Sequence, residues 1–250
     1  MPLDAIRQLT APARSRVQNV RLGAGLAFVA GATNAGAFLA VGQYTSHMTG
    51  IVSTMADAIA LQRWAIAAVS LSAVVAFVMG AATTAVLVNF AHRRKLSSAF
   101  ALPLLLEAVL LLLFGAFGAW LSTWHAFLAP AAVGLLCFTM GLQNAVITKV
   151  SRAEIRTTHV TGVVTDLGIE LGKLVYVNRT EREKPVRASR ARLRVLTLLL
   201  LSFVIGGVLG SVGFQKFGYI ATVPLALLLG VFALVPALDD VRMRLFPRSA

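Results

Sequence analysis

The chain has 250 residues, of which 58% are hydrophobic and 13% charged, with a mean hydropathy of +0.80. A soluble domain carries about 25% charged residues, and a run of about 20 apolar residues spans a bilayer. The composition therefore excludes a soluble globular fold and predicts an all-α, polytopic membrane protein whose first partner is the lipid bilayer.

The net charge of +13 sits in short loops, where the positive-inside rule accounts for it, so no nucleic acid is expected as a partner. The single Cys137 excludes an intramolecular disulfide. Residues 1–21 form a basic N-terminal segment with Arg7, Arg14, Arg16 and Arg21 against one acid, Asp4. The apolar run 22–42 is too long for the core of a signal peptide and is read as span 1. It is rich in small residues (Gly23, Gly25, Gly31, Ala35, Gly36) that let helices approach closely.

Residues 45–61 are too polar for a lipid-facing helix, holding His47, Asp57 and several hydroxyls. Thr45 or Ser46 is expected to cap a short helix reaching Leu61. Span 2 follows at 64–91, a basic turn at 92–95, span 3 at 98–121 with Glu107, and span 4 at 125–148. A second polar segment, 157–177, carries His159, Asp166 and Glu170, and a basic loop covers 178–194. Spans 5 and 6 are placed at 194–215 and 217–238, joined by a tight turn at Gln215-Lys216, and 239–250 is a basic tail.

Four landmarks recur in one order. GATNA at 31–35 is answered by GLQNA at 141–145, and His47-Met48-Thr49-Gly50 by His159-Val160-Thr161-Gly162. FVMGA at 77–81 is answered by FVIGG at 203–207, and Leu-Pro-Leu at 102–104 by Val-Pro-Leu at 223–225. This pattern predicts a tandem duplication, with a first membrane repeat at 22–121 and a second at 122–238. Six spans with both termini in the cytoplasm leave 21 of the 23 Lys and Arg residues inside; eight spans leave 16. Six spans give each repeat three crossings, so the repeats are inverted and the two polar segments are short re-entrant helices, a device that places sites near the midplane of transporters.

These residues resemble a known family. GATNAGAF, SHMTG, GLQNAVIT and RTTHVTGVVTDLG, at this spacing, are similar to the YoaK-like bacterial transmembrane proteins catalogued as domain of unknown function 1275. The resemblance covers about residues 22–238, and RTTHVTG is its most specific part. In that family the first Thr-Gly is often followed by Asn; here Ile51 stands there. The resemblance implies a small membrane protein of about six spans and supplies no substrate.

The candidate pathway residues are Asn34, His47, Thr49, Asp57, Asn144, Arg156, Thr158, His159, Thr161 and Asp166. His47 and His159 either knit helices or line one pseudo-symmetric path; no HxxH, HExxH or Cys cluster adds ligands for a metal. Asn34 and Asn144 sit late in their spans, where an amide can satisfy backbone freed at a break, or contact a solute. Asp166, two helical turns after His159, is the acid expected to share its face. Glu170 is expected to pair with Lys173, and Glu107, opposite Leu228 in the second repeat, to be protonated and inert. Arg156 is a positive-inside anchor or a charge at the mouth of the second polar helix, whose N-terminus favours an anionic solute.

No nucleophile–base arrangement, nucleotide loop or cofactor motif argues for an enzyme. The function expected is transport of a small solute or ion across the bacterial cytoplasmic (inner) membrane, with a site where the two His-x-Thr-Gly segments face each other. A non-transporting structural or regulatory membrane protein is the alternative. The Gly-rich faces of spans 1 and 5 can pack within one chain or between copies as a homo-oligomer.

Overall fold

The computed structural model describes residues 15–94, 96, 99–123, 125–151, 157–177 and 185–245. In chain order the helices are α1 (Arg16–Val41), α2 (Met48–Ala60), α3 (Trp64–Arg93) and α4 (Ala101–Thr123). Then follow α5 (His125–Val150), α6 (Val160–Val175), α7 (Arg190–Phe217), a 3₁₀ turn (Gly218–Ala221) and α8 (Thr222–Leu245). Every regular element among the described residues is thus helical, and the protein is a polytopic helical membrane protein. The helices α1, α3, α4, α5, α7 and α8 have 23 to 30 residues, long enough for the ~30 Å hydrocarbon core. With 13 and 16 residues, α2 and α6 reach only about 20 and 24 Å.

Local chemistry sets the ends. α1 starts before the apolar run because Ser15 and Gln18 form a capping box: the Gln18 amide donates to Ser15 Oγ at 3.3 Å, and the Ser15 amide donates to Gln18 Oε1 at 2.8 Å. Neither Thr45 nor Ser46 caps α2. His47 takes that position and His159 the matching one at α6, both without a side-chain cap bond. The last turn also lies further on than expected. α7 continues through Gln215 and Lys216, and the break comes at Gly218, where φ +60° and ψ −140° favour a residue without a side chain.

The packing is that of a membrane protein. On α3 the buried face is Ala67, Ser70, Ala73, Gly80, Thr84, Val88 and Ala91, while Leu71, Val75, Val78, Met79, Val86 and Phe90 point outward. Lipid tails are as apolar as leucine, so large side chains gain nothing by turning inward, and small ones let backbones meet. Four glycines mark the closest approaches. Gly31 lies against the Phe203 carbonyl and Gly206 against that of Phe28, while Gly80 lies against the Phe138 carbonyl and Gly141 against that of Phe77. The Gly-rich faces of α1 and α7 therefore pack on each other within the chain.

These contacts fix directions. Gly206, Gly210 and Phe214 of α7 meet Phe28, Ala32 and Gly36 of α1 in the same order, so the two helices run in parallel. Gly80 meets Phe138, and Thr84 Oγ1 donates to the Leu142 carbonyl at 2.9 Å, so α3 and α5 are parallel too. On α4, Gly115 meets Thr222 and Gly118 meets Tyr219, an antiparallel match to α8. α2 folds back along α3, with Met48 and Ile51 packed against Ala73 and Phe77 near the middle of that helix.

Candidate functional site

Both short helices begin the same way. After α1 the chain turns back toward it, and the Ser46 amide donates to Asn34 Oδ1 at 3.1 Å. After α5 the Thr158 hydroxyl donates to Asn144 Oδ1 at 2.5 Å, while Asn144 Nδ2 donates to the Met140 carbonyl at 2.9 Å. Each asparagine thus satisfies a polar group freed by the break and ties the return turn to its long helix. The His-x-x-Gly spacing has a steric cause. The His47 ring folds over the first turn of α2 onto Gly50, and the His159 ring onto Gly162; a Cβ at either glycine would collide with the imidazole. Both histidines remain exposed, and neither imidazole makes a hydrogen bond with a described residue.

The two His-x-Thr-Gly helices do not touch each other. α2 packs on α3 and α6 on α7, and no Cα of α2 lies within 8 Å of one in α6. What they share is a similar tethered turn, not a contact. Thr49, Asp57 and Thr161 are exposed on the short helices, and the Thr161 carbonyl accepts from Thr165 Oγ1. Asp166 is engaged elsewhere than with His159: its carboxylate lies 3.0 Å from Arg192 Nη2, at the basic start of α7. Arg156 lies outside the described residues.

Glu170 makes the expected pair with Lys173, at 2.7 Å, and more. Its second oxygen accepts from the Ser189 amide at 2.8 Å, joining the end of α6 to the start of α7. The Lys173 ammonium, then the Ser189 amide, hold this buried carboxyl below the ordinary carboxylate range. The equivalent place in the first half is filled by Ala58, also buried.

The motifs did not single out the buried polar groups that lack partners. Thr45 and Thr157, each two residues before its histidine, are 0% and 3% exposed, and neither hydroxyl is bonded to a described residue. Thr33 and Gln143, each just before its asparagine, are 2% and 0% exposed with unbonded side chains. Glu107 on α4 is fully buried beside the Gln143 amide, yet neither carboxyl oxygen is engaged at hydrogen-bond geometry among the described residues. Burying one such group unpaired costs roughly 2–7 kcal/mol, so each of these five, four of them at matched places, marks a spot that a polar ligand or water would satisfy. The signal was present in the sequence: each threonine and each Thr33/Gln143 position recurs at the repeat offset beside a motif residue. Among the described residues no three His, Cys, Asp or Glu side chains gather as a metal site requires.

Comparison with known proteins places this architecture. A family model described as "Protein of unknown function (DUF1275)" matches residues 22–235. The UPF0700 transmembrane protein YoaK of Bacillus subtilis (strain 168) is 27% identical over 210 residues, covering 82% of this chain and 89% of the relative. No solved structure matches the chain.

Proposed function

We propose a transport role for this chain, which belongs to the DUF1275 family and is a multi-pass membrane protein. It moves a small solute or ion across the bacterial cytoplasmic membrane, with both termini in the cytoplasm. Helix direction supports two inverted halves. α1 and α7 are parallel, α7 and α8 reverse at Gly218, and α4 opposes α8, so α4 runs with α1. Only α3 then crosses between α1 and α4, and α2 adds no crossing. Each half has three crossings and one half-depth helix, the inverted pattern many transporters use.

The observation that carries the reading is the pair of half-depth helices themselves. Each has an uncapped N-terminus beside an exposed imidazole and a buried, unbonded threonine hydroxyl. In an inverted arrangement the two open toward opposite faces of the membrane, as alternate mouths. Free first-turn N–H groups carry partial positive charge, which supports a small anion as the solute. The polar positions Thr33, Gln143 and Glu107 are buried on the long helices.

The test is flux in liposomes holding the purified chain, with chloride, nitrate, phosphate and acetate supplied singly. His47→Ala and His159→Ala each lower flux while thermal stability stays near that of the native chain. The rival reading, a non-transporting structural protein, draws on the bonds that tie Asn34, Asn144, Asp166 and Glu170 to neighbouring segments. It wins if the native chain moves none of these anions and the two substitutions change stability alone.

A further inference from the structure

Glu107 is the one described acid buried within a long helix, and nothing described neutralises it. α3, α5, the 3₁₀ turn and α8 pack against α4. None of them brings a described ionisable group against the carboxyl; the polar neighbour is the Gln143 amide. An ionised carboxylate without a partner is untenable in such a place, whereas the neutral acid is an acceptable guest. Glu107 therefore gives up its proton only when water or a counter-charge reaches it.

Two return-turn tethers lie next to buried polar positions, and one of those positions, Gln143, is beside Glu107. Gln143 directly precedes Asn144, whose side chain holds the Thr158 return turn, and Thr33 directly precedes Asn34, which holds the Ser46 turn. Releasing either tether loosens the chain next to the buried polar positions, one in each half. Position 228, the counterpart of Glu107 in the second half, is leucine, so the acid is not duplicated there.

We propose that Glu107 is the proton site of this protein: its carboxylate takes one proton from water on one side of the membrane and releases it to water on the other, together with the transported solute. This inference rests on the transport reading and adds the coupling ion to it. A protonated acid beside an amide stores the proton without net charge, which lets the loaded site be carried through a dry interior.

The test uses the full chain in lipid nanodiscs and infrared difference spectroscopy across a pH titration. The native protein shows a neutral-carboxyl carbonyl band that titrates with bulk pH. Glu107→Gln, which keeps the shape of the protonated acid, loses that band, and Gln143→Leu shifts it. In liposomes loaded with a pH-sensitive dye, adding chloride, nitrate, phosphate or acetate drives proton movement with the native chain; Glu107→Gln falls to the level of empty liposomes. A band that survives in Glu107→Gln, or that ignores pH, overturns the proton site. So does solute flux in Glu107→Gln that keeps the native dependence on the pH gradient. Absence of any solute flux with the native chain would instead overturn the transport reading beneath it. Should Glu107→Gln fail to fold, an unshifted band in Gln143→Leu overturns the assignment by itself.

Discussion

Replacing Gly80 by alanine tests the packing that holds the two halves together. The new Cβ would meet the Phe138 carbonyl, which belongs to the backbone of α5 and cannot rotate away. Separating the helices to relieve that contact costs about 1–3 kcal/mol, as overpacking does elsewhere. It also stretches the 2.9 Å bond from Thr84 to the Leu142 carbonyl, worth about 0.5–1.5 kcal/mol net. Alanine returns about 1 kcal/mol through its better helix propensity, leaving a net loss of about 0.5–3.5 kcal/mol. Gly141→Ala, which meets the Phe77 carbonyl from the opposite helix, should lose a similar amount. Gly134→Ala is the control: nothing lies within 4 Å of its Cβ, so propensity alone acts and stability stays level or rises. Equilibrium unfolding in mixed detergent micelles, followed by circular dichroism, measures all three. Equal stabilities for Gly80→Ala and Gly134→Ala would refute the reasoning.

Asn144→Ala removes the acceptor of the Thr158 hydroxyl and costs about 1 kcal/mol, and amide exchange over the return turn at 157–163 should quicken while α5 stays protected. The Glu170 carboxyl is held below the ordinary carboxylate range, so its link to Lys173 and Ser189 is intact above that range and is lost as pH falls through the lowered value. Corrected for the intrinsic pH dependence of exchange, protection of the Ser189 amide should therefore fall only on acidification, and Glu170→Gln should abolish the pH step. Asp166→Asn breaks an ion pair whose side chains are 42% and 48% exposed, so it should cost under about 1 kcal/mol and leave the melting temperature nearly unchanged.

How far the sequence could be read depended on which interactions were local. Span positions followed from apolar length, since each helix satisfies its own backbone in lipid. The Glu170–Lys173 pair was legible because partners three residues apart on a helix must meet. Asp166 was legible only in part for the complementary reason: helical spacing relates it to His159, but its partner Arg192 comes from the next helix, across a loop whose path spacing alone does not give. Nor do the two His-x-Thr-Gly helices touch. Matching motifs establish equivalent positions, not contact, and the strongest matched contacts run instead between each half's first long helix and the other half's glycine landmark. That Glu107 and Gln143 are neighbours was not legible, because each lacks an acidic or amide counterpart in the other half; the fold buries them beside each other.

The central claim is that the two half-depth helices belong to opposite faces of one inverted pair, and cysteine accessibility tests it most directly. The chain has one cysteine, the buried Cys137, so a Cys137→Ala background can take Gln62→Cys, between α2 and α3, or Arg187→Cys, between α6 and α7. In intact cells, a membrane-impermeant thiol reagent should label position 62 from outside and position 187 only after the membrane is opened. Labelling of both positions from the same side would contradict the account.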